Sequence, residues 1–208
     1  QGYSVASERR TDHLSITVSK HKARIRTWHF RAEHTIVATG AFQRHIVFAN
    51  NDLPGIMLSH AAATYVARDG VDTFKTAVVV TQDNQGYRDA VRLHNAGVKV
   101  NAIVDVRTNA SGASVDAAKA AGIPVIAGKT AVDACAKEDG TVKCVSVGNI
   151  DGTDATCIDG DLIALSGGWT PTVHLATYIG VKPTWDASLA AFVVKTSNQW
   201  YSTAGMLA

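Results

Sequence analysis

The chain is 208 residues long, room for one full domain and part of another, and at 46% apolar and 7% aromatic it can build a globular core. Its formal charge is +2 with Lys and Arg scattered, which excludes the concentrated basic face of a nucleic-acid binder. No apolar run approaches the ~20 residues that span a bilayer, and no charged-then-apolar leader occupies the amino end.

In chain order, residues 3–9, 14–18 and 25–31 read as short antiparallel strands joined by polar turns. The basic run KHKARIR at 20–26 falls in this stretch and reads as a solvated hairpin turn. Residues 34–41 (HTIVATGA) are a short buried strand ending on Thr39-Gly40, where glycine lets the chain turn tightly past a ligand or a neighbouring helix. Residues 42–55 are irregular, with Asn-Asn-Asp and Pro-Gly marking turns. Apolar residues Ile56, Met57, Ala61, Tyr65 and Val66 then predict a helix over 56–69, stopped by Gly70.

The next stretch is the clearest βαβ pattern in the chain. Residues 77–80 form a continuous apolar run, as in a strand buried on both faces. Residues 87–95 carry Tyr87, Ala90, Val91 and Leu93 at helical spacing and end at Gly97. A second strand (98–104), with Asp105 just past its end, a second helix (115–121) and a third strand (124–127) follow. The period then changes to 2 over 131–136, 141–150 and 156–158, an antiparallel meander, before a buried return strand at 162–165 runs into Ser166-Gly167-Gly168-Trp169. This order predicts an α/β, Rossmann-like fold of the pyridine nucleotide-disulfide oxidoreductase type: a parallel sheet with an antiparallel β-meander, plus part of a second dinucleotide-binding domain. The expected domains are 42–197, the Rossmann-like unit, and a remnant formed by 1–41 with 198–208. Starting at Gln1 without a methionine and stopping on apolar residues, the sequence reads as a piece of something longer.

The turn after the first strand of the βαβ unit should be G-x-G-x-x-G, whose glycines let the backbone approach a pyrophosphate at a helix N-terminus. Here it is Thr81-Gln82-Asp83-Asn84-Gln85-Gly86. Only Gly86 survives near the third position. Asp83 sits where a helix cap belongs, so its carboxylate competes for the very N–H groups a phosphate needs and adds repulsion of ~1 kcal/mol at ~4 Å in water, more when partly buried. The unit is expected to keep the fold and to have lost pyrophosphate binding. Asp105 is placed like a ribose-binding acid, although a strand-end Asp is more often a turn residue or cap.

Three cysteines, Cys135, Cys144 and Cys157, are spaced by nine and thirteen residues without C-x-x-C. The odd count points to a reducing, cytoplasmic setting rather than a disulfide framework. Metal binding by the three is the alternative, but His94 and His174, the nearest histidines, follow no zinc-type spacing, so buried or half-buried thiols are expected. The eight histidines form no H-x-x-H or H-E-x-x-H pattern and no nucleophile–base pair stands out, so no catalytic residue and no metal ligand is assigned. The Ser166–Trp169 turn is expected to let the chain leave the sheet with Trp169 packed in the core, and His174 to be structural.

Several segments together resemble one family. They are Glu8-Arg9-Arg10-Thr11-Asp12-His13; residues 37–42 (VATGAF); residues 47–52 (VFANND) with Pro54-Gly55; Asp83 with Tyr87-Arg88; residues 102–105 (AIVD) with Arg107; and residues 166–171 (SGGWTP) with residues 173–175 (VHL). In order along nearly the whole chain, they resemble the alpha subunit of heterotetrameric sarcosine oxidase. The resemblance implies a flavin-dependent complex that oxidises the N-methyl group of sarcosine, giving glycine, hydrogen peroxide and formaldehyde or methylene-tetrahydrofolate. It implies FAD and covalent FMN in the full complex but not held by this chain, a beta subunit that carries the amine-oxidising flavin, and tetrahydrofolate bound by a region beyond residue 208. It also implies an NAD site in the first domain, of which Thr39, Gly40, Ala204 and Gly205 remain here as a partial cofactor-binding set. The chain alone is then expected to be inactive, a scaffold. The alternatives are a stand-alone non-catalytic Rossmann-like binding or interaction domain, and the alpha subunit of a related opine, hydroxyproline or proline dehydrogenase.

Overall fold

The structure, a computed structural model, describes residues 2–9, 25–178, 180–194 and 200–207. In chain order the elements are β1 (Gly2–Arg9), β2 (Ile25–Ala32), β3 (Thr35–Val37), β4 (Ala41–Gln43), β5 (Ile56–Leu58), α1 (Ser59–Ala67), β6 (Thr76–Thr81) and α2 (Asn84–Asn95). They continue with β7 (Lys99–Asp105), α3 (Ala113–Ala120), β8 (Val125–Ala127), β9 (Thr130–Ala136), β10 (Val142–Gly148), β11 (Thr156–Asp159) and β12 (Leu162–Ser166). Last come β13 (Trp169–Pro171), α4 (His174–Tyr178), β14 (Thr184–Asp186), β15 (Ala191–Val193) and β16 (Tyr201–Thr203). The chain divides into two compact units, Gln1–Ala41 with Pro171–Ala208, and Phe42–Thr170.

The 42–170 unit is built on a five-stranded sheet in the order β5-β12-β6-β7-β8, with each neighbouring pair parallel. Both faces are covered, which is why Val78, Val79 and Val80 run on without a polar break. Successive side chains point to opposite faces. Ala77, Val79, Ile103, Leu162 and Ala164 face the helices and pack with Ala62 and Ala63 of α1, Tyr87 and Leu93 of α2, and Val115 and Ala118 of α3. Val78, Val80, Ala102, Val104, Ile163 and Leu165 face the other way and pack against Ala131 and Ala134 of β9 and Val142, Val145 and Val147 of β10. The second layer is the meander, a three-stranded antiparallel sheet in the order β11-β10-β9. The unit is thus a three-layer sandwich of helices, parallel sheet and meander, the Rossmann-like α/β arrangement that the periodicity predicts.

Two elements differ from expectation. The buried strand expected at 34–41 spans only Thr35–Val37, and of these Val37 alone is buried. The helix predicted over 56–69 begins only at Ser59, and Ile56, Met57 and Leu58 form an edge strand paired with Ile163, Ala164 and Leu165. Ile56 and Met57 fit a helical stripe and a sheet edge equally well. The return strand β12, more than a hundred residues later, supplies the backbone partners that decide the matter.

In the other unit, β1 and β2 pair antiparallel from Gly2↔Ala32 to Arg9↔Ile25, as expected. The strand expected at 14–18 and most of the basic run at 20–26 lie outside the described residues. Strands β3 and β16 run parallel, and β14 pairs antiparallel with β15. Apolar rings remain on the surface of this unit: Trp28 stacks on Phe30 along β2, and Trp185 meets Phe192 edge-on between β14 and β15, all four about half exposed. Among the described residues, no helix is long and apolar enough to cross a membrane.

Helix α2 lies very close to β6 because Gly86 has no side chain. A Cβ there would come within 2.4 Å of Thr81 Oγ1 and 2.5 Å of Thr81 Cβ. This is the packing role of the third glycine in a dinucleotide-binding turn. Gly86→Ala gains helix propensity of ~1 kcal/mol but forces apart two core elements. Urea unfolding monitored by circular dichroism is therefore expected to show a net loss of about 1–2 kcal/mol; unchanged or raised stability would refute the tight-contact role.

Candidate functional site

The order of the parallel sheet reverses at β6 and β12: β7 and β8 extend to one side, β5 to the other. In open α/β sheets, ligands bind outside the carboxyl ends of the strands at such a point. The loops that emerge there are 81–86, leading into α2, and 166–168, following β12.

Asp83 is the N-cap of α2, with extended backbone (φ −140, ψ 173). Its Oδ1 accepts hydrogen bonds from Gln85 N at 3.1 Å, Gly86 N at 3.2 Å and the Ser166 hydroxyl at 2.7 Å, with the Thr81 hydroxyl at 3.2 Å. One carboxylate oxygen therefore occupies the helix N-terminus that would otherwise cradle a phosphate, and it ties β6, α2 and the end of β12 together. Gln82 reaches across and donates to the Gly167 carbonyl, closing the gap between the two loops.

Behind this cap runs a line of polar side chains. Gln43 Nε2 donates to both Ser166 Oγ and Ser59 Oγ at 2.9 Å, and its Oε1 accepts from His60 N at 3.0 Å. Ser59 Oγ donates to Asp89 Oδ2 at 2.8 Å, and Gln85 Nε2 to Asp89 Oδ1 at 2.9 Å. Ser59, Asp89 and Ser166 are fully buried, and Arg92 lies 3.5 Å from the Asp89 carboxylate at the rim. Buried polar groups persist when they are satisfied in this way. Gln43 and Ser59 carry no sequence signal. Asp89 alone hints at it, a charged residue between Tyr87 and Ala90 on the apolar side of α2.

Asp105 is also committed internally. It is buried at the end of β7, accepts from Tyr87 Oη at 2.9 Å, from its neighbour's backbone amide (Arg107 N) at 2.9 Å, and from the Arg107 guanidinium at 2.8–3.2 Å. Burial first, and the hydrogen bond to Asp105 second, push the Tyr87 phenol well above its ordinary value. Asp105 likewise holds the Arg107 guanidinium more firmly charged. The residue placed for a ribose is thus a buried ion-pair anchor, the turn-residue alternative.

The cleft at this end has a volume of about 500 Å³ and is lined by Ile46, Phe48, Gln82, Val106, Ala131 and Asp151 among others. Among the described residues that line it, Asp151 alone carries a charge, and hydrogen bonds from Thr153 hold its carboxyl below the usual range. The helix N-terminus that a pyrophosphate would need is taken by Asp83, and the Arg44 guanidinium is committed to the Gly167 carbonyl at 3.0 Å. The 81–86 turn does not fit a dinucleotide.

The Gly167-Gly168 pair serves the chain itself. A Cβ at Gly167 would meet the carbonyl oxygens of Arg44 and His45 at 2.8 and 2.7 Å, and backbone bonds join Gly167 N to Arg44 O and Arg44 N to Gly168 O. The expectation that Trp169 packs in the core is corrected: it is half-buried and meets His60 edge-on at 5.9 Å, because β12 ends at Ser166 and the chain has already left the sheet. His174 is exposed at the first position of α4.

In the 1–41 and 171–208 unit, the structure brings the four expected cofactor residues together. Thr39-Gly40 and Ala204-Gly205 follow the carboxyl ends of the paired parallel strands β3 and β16, and Ala204 N donates to Val37 O at 3.0 Å. The Thr39 hydroxyl donates to Thr172 O at 2.8 Å and Gly40 O accepts from Thr172 N at 2.9 Å. Gly40 and Gly205 both take positive φ, +68 and +70.

Comparison with known proteins bears out the motif resemblance. The chain is 39% identical over 196 residues, 92% of its length, to the sarcosine oxidase subunit alpha of Corynebacterium sp. (strain P-1). It is 35% identical over 86% of its length to the subunit of the same name from Rhizobium meliloti (strain 1021). It spans about a fifth of the length of these relatives, 20% and 17%. No protein-family model matches. Among solved structures, thioredoxin reductases from T. acidophilum (TM-score 0.66, 18% identity, 88% of this chain and 60% of that one) and Lactococcus lactis (0.63, 16%, 88% and 61%) share the fold.

The Tyr87–Asp105 contact has a consequence at high pH. A tyrosine in the unfolded chain ionises near pH ~10, whereas folded Tyr87 resists. Its contribution to stability is therefore complete below about pH 10 and is lost as pH rises beyond that value toward the raised folded one. Denaturant midpoints measured from pH 8 to 11 are expected to fall less steeply above pH 10 in Tyr87→Phe than in the parent; parallel profiles would refute the assignment.

Proposed function

We propose that the chain is a segment of the alpha subunit of a sarcosine oxidase, an oxidoreductase acting on the CH–NH group of amines. The observation that carries this reading is 35–39% identity along 86–92% of the chain to three proteins named sarcosine oxidase subunit alpha. The whole protein would convert sarcosine, water and oxygen to glycine, formaldehyde and hydrogen peroxide, or pass the one-carbon unit to tetrahydrofolate as methylene-tetrahydrofolate. FAD and FMN, the beta subunit with its amine-oxidising flavin, and the folate-binding region would lie outside these 208 residues, in a cytoplasmic complex.

Within this segment, the 42–170 unit acts as scaffold. The Asp83 cap supports that role, since it gives the helix N-terminus an internal anion in place of a cofactor phosphate. Thr39, Gly40, Ala204 and Gly205 contribute part of an NAD site. They offer backbone turns at the carboxyl ends of two parallel strands, a fitting surface for a nucleotide whose pyrophosphate is held by a glycine loop elsewhere in the whole protein. Alone, the chain would be inactive.

Two measurements test this. The whole protein, produced with its partner subunits, is expected to consume oxygen when given sarcosine while the 208-residue chain does not. Absence of sarcosine-dependent oxygen uptake, or a reading frame lacking a strand and G-x-G-x-x-G upstream, would overturn the assignment. Titration calorimetry of the chain with NAD should show millimolar or weaker binding, and Asp83→Gly should leave it so, because Gln82 still bridges to Gly167 and Arg44 stays bound to the same carbonyl. Low-micromolar affinity in the parent would refute the scaffold role. A large gain in the variant would show that Asp83 alone blocks the site.

A further inference from the structure

The meander brings together three cysteines that lie far apart in the sequence. Cys135 on β9 stands directly opposite Cys144 on β10, and Cys157 on β11 lies diagonally across from Cys144, opposite Ser146. Residues paired across an antiparallel ladder, and residues two apart on one strand, share a face. All three thiols therefore occupy the face of the meander turned away from the parallel sheet, the opposite one from Val145 and Val147. Cys144 is buried at 3% exposure, Cys135 is half-buried and Cys157 is exposed. The three sulfurs lie within 4.8 Å of one another.

The structure joins Cys144 to both Cys135 and Cys157. A sulfur forms one disulfide, so both bonds cannot exist in one molecule. The Cα separations, 5.4 and 6.1 Å, are compatible with either. What is common to every state is convergence of three sulfurs on one point. The remaining pair, Cys135 and Cys157, lies 3.7 Å apart, close to the ~3.8 Å that two sulfurs adopt around one tetrahedral ion with Zn–S bonds of ~2.3 Å. The face is acidic as well. Asp159 is paired directly with Cys144, and Asp133 with Ser146. Thiolates beside carboxylates are unfavourable without a cation, and a cation relieves that repulsion.

We propose that reduced Cys135, Cys144 and Cys157 form a three-thiolate site for a thiophilic d10 cation of the Zn2+ type, with its fourth position open to solvent on the side of exposed Cys157. Binding releases thiol protons and crosslinks all three strands of the meander, so it stabilises the layer that covers one face of the parallel sheet. It is independent of the nucleotide site and of the amine-oxidase assignment. Sequence spacing hides the site because its ligands are aligned by strand pairing across nine- and thirteen-residue intervals, not by a short loop.

The test uses the 208-residue chain, fully reduced under anaerobic conditions, with three thiols confirmed by thiol titration. Zn2+ titrated against a chromophoric chelator is expected to bind at one per chain, and Co2+ to give a thiolate-to-cobalt charge-transfer band in the near ultraviolet. Cys144→Ser should weaken Zn2+ binding at least about a hundredfold and abolish the band, since losing even an outer-shell partner costs about 10–100-fold. Cys157→Ser, at an exposed position that cannot upset the core, should weaken it at least tenfold, so that the result does not rest on a variant that fails to fold. Zn2+ should raise the melting temperature of the parent and leave that of Cys144→Ser unchanged. Absence of stoichiometric binding by the reduced chain, or binding indifferent to both substitutions, would overturn the site. So would a reduced chain that takes up no Zn2+ and on oxidation simply closes one disulfide from Cys144.

Discussion

The unsatisfied amides at the start of α2 are the constraint around which the 42–170 unit is organised. Any helix begins with N–H groups that have no partner within it, and here those groups open at the point where the order of the parallel sheet reverses. A dinucleotide-binding protein leaves them for a phosphate. In this chain the Asp83 carboxylate takes them, and the same oxygen accepts the hydroxyl of Ser166 from the neighbouring strand end. Hydrogen bonds to a charged group contribute about 1.5–3 kcal/mol each where they are well formed. The cap is therefore both a helix start and a bolt between β6 and β12.

The other polar interactions inside the unit extend from that bolt. Ser166 connects through Gln43 to Ser59, and Ser59 to Asp89, so α1, α2 and the strand ends share one hydrogen-bonded line. On the far side of β6, Tyr87 and Arg107 hold Asp105. Both acids that a nucleotide-binding reading would aim at a ligand point instead into the protein. Gly86 keeps the one glycine function that concerns packing alone, while the positions that would admit phosphate carry side chains. Such a unit keeps a Rossmann-like architecture while its own side chains occupy the positions that a dinucleotide's phosphates would take.

The meander adds a different property. It covers the second face of the parallel sheet with Val145 and Val147 and leaves its outer face bearing Cys135, Cys144, Cys157 and the flanking Asp133 and Asp159. The layer is thin, with one face apolar and the other rich in sulfur and carboxylate. A crosslink among its three strands would strengthen it where burial alone does least.

The sequence by itself determined most of the architecture. The unbroken run Ala77–Val80 required a strand covered on both faces, the spacing of Tyr87, Ala90 and Leu93 required a helix after it, and the change to period 2 beyond residue 130 required the meander. Asp83 announced the cap, because an Asp just ahead of an apolar helical stripe has a local reason to be there. Local patterns of this kind depend on neighbours within a few residues and so are legible. Only the tertiary structure decided what depends on partners distant along the chain: that residues 56–58 are an edge strand completed by β12, that Gln43, Ser59 and Asp89 form a buried line with Ser166, that Asp105 is anchored by Tyr87 and Arg107, and that three scattered cysteines meet at one point. Each of these is a contact between side chains or strands that the packing of the sheet, its helices and its loops brings together, and such contacts carry no fixed interval that a sequence could display.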